Sequence, residues 1–161
     1  MTCETLQGYV VMSDGSEVSY DALPNSMFRV IFPQVPWLIM FLQGFSMPGV
    51  DVKEVPTATP YVDMNEIGEK LIYTPFTVTF LIDKNLKNYR EVHDWMKRMT
   101  VAGTKVGETA DPVLVIGGKE MIRFCGAWPT FLGGMEFRTD VQDVQYMTAT
   151  AQFNYDYFEF M

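Results

Sequence analysis

The stretch CGAWPTFLGGMEFRTDVQDVQYMTATAQFNYDYFEF, residues 125 to 160, decides the fold. After the polar turn at residues 140 to 143, one set of side chains is apolar and points one way: Met147, Ala149, Ala151, Phe153, Tyr155 and Tyr157. The alternate set is polar and points the other way: Thr148, Thr150, Gln152, Asn154 and Asp156. A period of two residues predicts a half-buried β-strand. This strand is unusually long, because the pattern continues for well over ten residues against about five or six in a usual strand. The apolar face closes a core, so the polar face must meet water or another subunit.

The chain of 161 residues fits one domain with a sizeable core. Its net charge of −8 argues against a nucleic-acid binder, because phosphate affinity comes from clustered Lys and Arg. Cys3 and Cys125 lie far apart, which predicts a reducing compartment rather than a disulfide framework. The most apolar stretch, residues 35 to 45, is too short to span a bilayer. We therefore expect no membrane segment and a soluble protein made in the cytoplasm.

The first part of the chain divides at residue 26. Residues 1 to 26 are predicted to form an N-terminal arm with one small hairpin, whose turn is the polar run 13 to 16. Residues 27 to 161 form one β domain. Two early strands, 28 to 32 and 38 to 46, are predicted to pair as a hairpin. The continuous apolar character of the second predicts burial on both of its faces.

Residues 50 to 75 are extended, charged and interrupted by proline. Such a segment cannot be core, and it is too long for a simple link between paired strands, so we expect a loop that projects from the body. Long loops on a rigid scaffold usually carry binding. The predicted contacts with another subunit are the charged side chains Asp51, Lys53, Glu54, Asp63, Glu66 and Glu69.

A strand and then a helix follow the projecting segment. Residues 76 to 82 alternate apolar residues with threonine, which is typical of a strand. The period then changes to three and four, predicting an amphipathic helix from about 86 to 99, with Asp83 or Asn85 as N-cap and Lys97 and Arg98 in its last turn. Further on, Gly117-Gly118 between two apolar runs predicts a hairpin. The fold class is mainly β: a sandwich or barrel of antiparallel strands with one flanking α-helix.

No catalytic, metal or cofactor site is predicted. His93 stands beside Asp94 on the predicted helix, and no nucleophile has a spacing that suggests a triad. One histidine and two cysteines do not supply a zinc site. The glycine pairs at 117–118 and 133–134 do not precede a helix with lysine, unlike a phosphate-binding loop. We expect a protein that is not an enzyme.

Assembly is the function that the strand pattern favours. An open sheet leaves strand edges that aggregate unless they are covered or joined, and subunits arranged head-to-tail in a ring join them into one barrel. If the barrel encloses a channel, a wall of Thr, Gln, Asn and Asp rather than Lys and Arg lets a polyanion slide without binding. The set Thr148, Thr150, Gln152, Asn154 and Asp156 is therefore predicted to line the lumen or an inter-subunit face. Alternation alone does not say which side of the strand faces the bore.

The order of these elements resembles the tail tube protein family of contractile-tailed bacteriophages, which is related in fold to the type VI secretion inner tube protein. The resemblance covers most of the chain beyond residue 26. The matching pieces are the strand at 28 to 32, the segment 43 to 49 ending in Met-Pro-Gly, Glu54-Val55-Pro56, the strand at 76 to 83 before the helix with Trp95, and Trp128-Pro129 before the strand at 153 to 157.

The resemblance implies a structural virion protein that forms hexameric rings with a β-barrel lumen. Stacked rings would form the tail tube inside a sheath, the conduit for DNA ejection, assembled in the bacterial host cytoplasm. It implies the sheath, baseplate and tape-measure proteins as partners. It also implies that the segment between the Met-Pro-Gly turn and the strand at 76 touches the adjacent ring, and the residues predicted for this ring-to-ring contact are Asp51, Lys53, Glu54, Asp63, Glu66 and Glu69.

Two departures from the family pattern leave alternatives open. Thr74-Pro75 stands where main tube proteins more often have a polar residue and Trp, and the N-terminal arm has no counterpart. An initiator ring at the baseplate or a terminal ring at the neck is therefore an alternative. From another class, a monomeric β-barrel that binds a small apolar ligand in its aromatic core is also compatible with the sequence.

Overall fold

Antiparallel β-structure dominates the chain, which confirms the predicted fold class. The structure is a computed structural model. It describes residues 8–11, 17–20, 27–33, 35–36, 41–58, 60–62, 64–140 and 146–161. Near the N-terminus, β1 Gly8–Val11 pairs with β2 Glu17–Tyr20, where the sequence predicted a small hairpin.

Two four-stranded sheets form the body. The elements in chain order are β3 Phe28–Ile31, β4 Leu42–Ser46, β5 Val50–Thr57, β6 Met64–Tyr73, β7 Phe76–Leu81, α1 Lys87–Ala102, β8 Val113–Ile116, β9 Lys119–Cys125, β10 Trp128–Leu132, β11 Thr148–Asn154 and β12 Tyr157–Phe160. Sheet A has the spatial order β10-β11-β7-β4, and sheet B has the order β12-β9-β8-β3. All neighbouring strands are antiparallel. Strands β5 and β6 form a separate two-stranded sheet.

The two body sheets enclose an apolar core of aromatic rings. Phe76 of β7 stacks on Phe153 of β11, with ring centroids 5.2 Å apart. Phe76 also lies 4.8 Å from Phe124 of β9, which belongs to the opposite sheet. All three side chains are fully buried. Truncating such a ring costs about 3–5 kcal/mol, so this contact holds sheet A to sheet B.

The alternation predicted for the last strand is confirmed along β11. Ala149, Ala151 and Phe153 are buried, and so is Tyr155 just beyond the strand. Their polar neighbours Thr148, Thr150, Gln152 and Asn154 are exposed or half-buried.

The prediction of one continuous C-terminal strand is wrong. Strand β11 ends at Asn154 and β12 begins at Tyr157 in the other sheet. Between them, the Asp156 amide donates a hydrogen bond to the Cys125 carbonyl at 2.9 Å. The crossover changes which side of the chain faces inward, so Tyr157 is 49% exposed.

The predicted hairpin between the first two body strands is also wrong. Strand β3 pairs with β8, and β4 pairs with β7, so the two lie in different sheets. Phe32 and Val35, between them, are buried where the chain passes from sheet B to sheet A. Burial of β4 on both faces is wrong too, because Gln43 and Ser46 are exposed. Residues 38 to 40 of the predicted second strand lie outside the described residues.

The glycine pair forms the turn that the sequence predicted. Strands β8 and β9 are joined by Gly117 and Gly118, with φ of 59° and 82°. Positive φ at both central residues is the requirement of a type I′ hairpin turn, which glycine meets without steric cost.

Helix α1 has different ends from those predicted. Neither Asp83 nor Asn85 is the N-cap; Leu86 takes that position with φ of 55°. Fully buried Asn88 connects the start of the helix to β7, because its side-chain nitrogen donates a hydrogen bond to the Leu81 carbonyl at 2.7 Å. Its side-chain oxygen accepts from the Asp83 amide at 3.1 Å.

The helix continues to Ala102, so Lys97 and Arg98 do not lie in its last turn. Gly103 ends it in the left-handed conformation, donating its amide to the Met99 carbonyl. The buried side chains Val92 and Trp95 face the core, where Trp95 lies 5.9 Å from Phe153.

The buried hydroxyl of Tyr155 makes stability sensitive to alkaline pH. It has no hydrogen-bond partner among the described residues, and burial, followed by the nearby Tyr73, raises the pKa of Tyr155 from 10.0 to about 12. The folded state favours the neutral phenol, so this stability is complete below pH 10 and is lost as the pH rises through about 12.

Tyr155→Phe is therefore expected to gain about 1 kcal/mol of unfolding free energy relative to wild type on going from pH 7 to pH 11. Urea denaturation at both pH values measures the gain. An equal difference in unfolding free energy between the variant and wild type at the two pH values would contradict a raised pKa of Tyr155.

Candidate assembly surfaces

Sheet A has an open strand at each end. Strands β10 and β4 each pair with one neighbour among the described strands. Both contain an irregularity, between Pro129 and Phe131 in β10 and between Leu42 and Gly44 in β4. Proline and bulges limit edge-to-edge pairing. The regular part of each edge is thus short, and neither edge has a second strand neighbour among the described strands.

The side of sheet A that faces away from the core carries small polar side chains, and we call it the threonine face. In the cross-strand register Thr150 lies opposite Thr79, and Gln152 lies opposite Thr77, so these four share one side. The same side includes Ser46, Thr148 and Asn154, and the same register adds the larger side chains of Leu81, Trp128 and Phe131. All are exposed or half-buried, and none carries a charge.

Four of the five predicted lumen residues meet on the threonine face, namely Thr148, Thr150, Gln152 and Asn154. Asp156 lies apart from them, beyond the end of β11. Its carboxylate accepts a hydrogen bond from the Lys105 ammonium, which also lies 4.3 Å from the ring centroid of Trp128. Asp156 therefore holds the loop after α1 to the crossover between sheets.

Strands β5 and β6 form a two-stranded extension of sheet A, which we call the ribbon. Its base is joined to the body by hydrogen bonds between Gly49 and Thr74, with the Thr74 amide 3.1 Å from the Gly49 carbonyl. Every residue of β5 is exposed, and so is β6 apart from half-buried Gly68 and Tyr73. Ten residues of strand extend about 30 Å. An isolated two-stranded ribbon is marginally stable in water, so this one needs a partner.

The ribbon places the predicted contact residues at the surface, although the expected loop is wrong because two strands pair there. Exposed along the strands are Asp51, Lys53, Glu54, Glu66 and Glu69. Asp63 lies outside the described residues. Glu54 accepts a hydrogen bond from the Asn65 side chain at 3.0 Å, within the ribbon.

Sequence reasoning missed the apolar side chains of the ribbon. The exposed ones include Val50, Val52, Val55, Met64, Ile67, Leu71 and Ile72. Ile67 is 89% exposed. The only sequence signal was the mixture of β-branched and charged residues in a segment too polar to be core, and several exposed apolar side chains on one segment mark a candidate interaction site.

A groove runs along the outer side of α1 beside β10, and we call it the helix groove. Its lining includes Tyr89, His93, Met96, Lys97, Val101, Phe131 and Leu132. The Tyr89 hydroxyl donates to the Gly133 carbonyl at 3.1 Å, which fixes one wall. Val101 is 81% exposed and Phe131 is 51% exposed. The groove thus offers apolar surface that none of the described residues covers.

Reactive groups are not gathered into a site. His93 is exposed, with its Nδ1 atom 3.4 Å from an Asp94 carboxylate oxygen. Cys125 is a half-buried free thiol, and Cys3 lies outside the described residues. Across the ranges that the structure describes, no three His, Cys, Asp or Glu side chains are placed to hold a metal ion. Within the same ranges, no helix combines the length and apolar character needed to cross a membrane.

Comparison with known proteins gives likenesses in structure and none in sequence. No protein-family model and no curated protein matches the chain. A structure of the anti-feeding prophage tube-terminating cap matches with a TM-score of 0.67 and 12% identity, covering 94% of this chain and 99% of that one.

Two further structures come from other parts of such machines. The sheath-tube complex of an extracellular contractile injection system, PVC, in the extended state matches with a TM-score of 0.63 and 13% identity, covering 87% and 91% of the two chains. The 6-fold symmetrised baseplate of the anti-feeding prophage matches with a TM-score of 0.59 and 12% identity, covering 89% and 97%. This chain shares its fold with components of contractile injection systems.

Proposed function

We propose that this chain is a structural, non-enzymatic ring subunit of a contractile tail tube. The observation that carries the proposal is sheet A, which has a packed core on one side, an uncharged polar face on the other and an open strand at each end. The shared fold with injection-system components supports it.

Ring closure follows from the two open strands. Strand β10 of one copy pairs with β4 of the next, a head-to-tail contact that closes when the rotation between copies divides a full turn. The joined sheets then form one large barrel. We propose a hexamer, which agrees with the 6-fold symmetry of the similar baseplate structure.

The threonine face lines the bore in this arrangement. Hydroxyl and amide groups hydrate the wall without the counterion release that binds DNA to lysine and arginine. DNA and the tape-measure protein pass through such a lumen, while the sheath surrounds the tube and the baseplate anchors it in the virion tail.

The monomeric ligand-binding barrel receives no support from the core. The space between sheets A and B is filled by packed rings, with Phe76, Phe124 and Phe153 fully buried. The large pockets that open along α1 are surface grooves. An apolar ligand would have to displace these rings.

A terminal or initiator ring is the second candidate. The observation that favours it is the likeness to a tube-terminating cap and to a baseplate, alongside the likeness to a sheath-tube complex. A main tube subunit stacks without limit, whereas a terminal ring stops after one or two layers.

Sedimentation and negative-stain electron microscopy of the purified protein test the proposal. We expect rings with a central pore. Long tubes would identify the chain as the main tube subunit. Rings that do not stack further would identify it as a terminal or initiator ring. A stable single chain across the accessible concentration range contradicts the proposed function.

Lysine on the threonine face is expected to impede DNA passage. Thr150→Lys with Asn154→Lys should leave the fold intact, because both side chains point away from the core. Positive charge in the bore binds phosphate by counterion release, so we expect infectivity per particle to fall about tenfold or more.

Glu120→Lys is the matched control for this pair, because it changes the net charge equally at an exposed residue of sheet B. Wild type, the double lysine variant and Glu120→Lys should all form equal numbers of assembled particles. Full infectivity of particles that carry both lysines would count against the lumenal position of the threonine face.

A further inference from the structure

We infer that the ribbon of one copy docks in the helix groove of a neighbouring copy. The inference rests on the proposed function, since it requires copies to assemble. The surface that receives the ribbon lies on α1 and β10 of the neighbouring copy.

The ribbon requires a partner that provides apolar surface. Its apolar side chains are exposed although its two strands pair with each other, as Met64 at 60%, Leu71 at 55% and Ile67 at 89% show. The body contributes little to covering them, because the strands contact chiefly one another. The described residues of the body therefore leave this apolar area open to another molecule, and its burial is worth about 25 cal/mol per Å².

Charge favours the helix groove as that surface. The whole chain has a net charge of −8, yet six of its twelve basic residues fall between positions 84 and 105: Lys84, Lys87, Arg90, Lys97, Arg98 and Lys105. Glu91 and Asp94 are the acidic residues between those positions, and Arg98 and Lys105 pair with Glu108 and Asp156 from outside them, so Arg90 and Lys97 are the basic residues on which the argument rests. Residues 50 to 73 instead hold five acidic and two basic residues, a net charge of −3.

The basic residues are placed to meet a docked ribbon. Arg90 and Lys97 are exposed and seven positions apart, so they project from the same side of α1. Lys97 itself lines the helix groove, next to the apolar side chains of Met96 and Val101. The groove thus combines a charged rim with an apolar floor, the complement of a ribbon with acidic and apolar side chains. Methionine adapts to irregular apolar partners.

Ring closure brings the two surfaces together. The ribbon directly continues the hairpin that contains β4, through the hydrogen bonds between Gly49 and Thr74. A copy whose β4 pairs with β10 therefore starts its ribbon beside β10, and β10 supplies Phe131 and Leu132 to the groove. A single placement of the neighbouring copy therefore pairs β4 with β10 and also brings the ribbon to the helix groove.

Charge reversal tests the electrostatic part. Arg90→Glu with Lys97→Glu is expected to lower the assembled fraction at least tenfold at low ionic strength, and added salt should reduce the deficit by screening. Glu66→Lys with Glu69→Lys in the ribbon should cause a similar loss. Combining all four changes should restore assembly.

A matched control separates this effect from net charge. Arg29→Glu with Lys119→Glu alters the charge equally at exposed positions of sheet B and should assemble like wild type. Loss in this control, or no rescue in the fourfold variant, overturns the inference.

Cross-linking tests the contact directly. Two populations are prepared in a Cys3→Ser, Cys125→Ser background, one with Ile67→Cys and the other with Val101→Cys. Oxidation of the mixed assembly should link the two populations, whereas Glu120→Cys in place of Val101→Cys should not link. Assembled rings without the Ile67–Val101 link overturn the inference and leave the proposed function standing. A wild-type chain that does not assemble contradicts the proposed function as well.

Discussion

Replacing residues 52 to 71 with Asn-Gly is expected to abolish assembly into rings or tubes while the body still folds. The Asn-Gly pair closes a type I′ turn between Asp51 and Ile72, which already lie opposite each other in the ribbon. Tyr73 is kept, because its ring lies 5.8 Å from that of Tyr155 and so belongs to the body. Only the exposed part of the ribbon is lost.

The physical reason for the complete loss is that the ribbon carries exposed apolar side chains, such as Ile67, that the described residues of its own chain do not cover. Electron microscopy counts tubes, and circular dichroism checks that the body keeps its β-structure. Tubes of normal length from the shortened chain would contradict a role of the ribbon in assembly. A shortened chain that fails to fold would show that the ribbon supports its own body, which contradicts the same role.

Trp95→Ala is expected to destabilise the body by about 3–5 kcal/mol, a large share of the 5–15 kcal/mol typical of a domain. The Trp95 side chain is fully buried and packs on Phe153 of sheet A. Its indole nitrogen donates to the Glu108 carbonyl in the loop after α1. The substitution removes the ring that joins helix, loop and sheet.

Trp95→Phe is the matched control, since it keeps an aromatic ring and loses the hydrogen bond. We expect it to cost less than Trp95→Ala. Urea denaturation of the chain with the shortened ribbon, at concentrations where it is a monomer, measures both costs without a contribution from assembly. Equal, small losses for both variants would contradict the position of Trp95 in the core.

Local patterns in the sequence predicted much of the fold. The alternation from Ala149 to Tyr155 fixes which side of β11 is buried, and Gly117-Gly118 fixes a hairpin, because each depends on neighbouring residues only. The three-and-four spacing likewise placed Val92 and Trp95 on the inner side of α1. These features need no knowledge of distant partners.

Long-range pairing could not be read from the pattern. Strand β3 pairs with β8, far away in sequence, and nothing local excludes its pairing with β4. The break at Asp156 is hidden for the same reason, since the aromatic residues on both sides of it suit a strand in either sheet. The start of α1 depends on Asn88 reaching back to β7, a contact that capping preferences do not describe.

The charged side chains of the ribbon could be predicted from the sequence, whereas its exposed apolar side chains could not. Charged residues such as Glu66 and Glu69 are expected outside on any fold, so their exposure followed from residue type. Burial would be expected for Ile67 and Met64, because apolar residues usually lie inside. Their exposure became visible only when the ribbon proved to be paired and to stand away from the core.

The most direct measurement is a cryo-EM reconstruction of the assembled particle at a resolution that separates strands. The account predicts backbone hydrogen bonds between β10 of each subunit and β4 of its neighbour, with Thr77, Thr79, Thr150 and Gln152 facing the bore. Particles in which both strands border solvent, or in which the threonine face points outward, would contradict it.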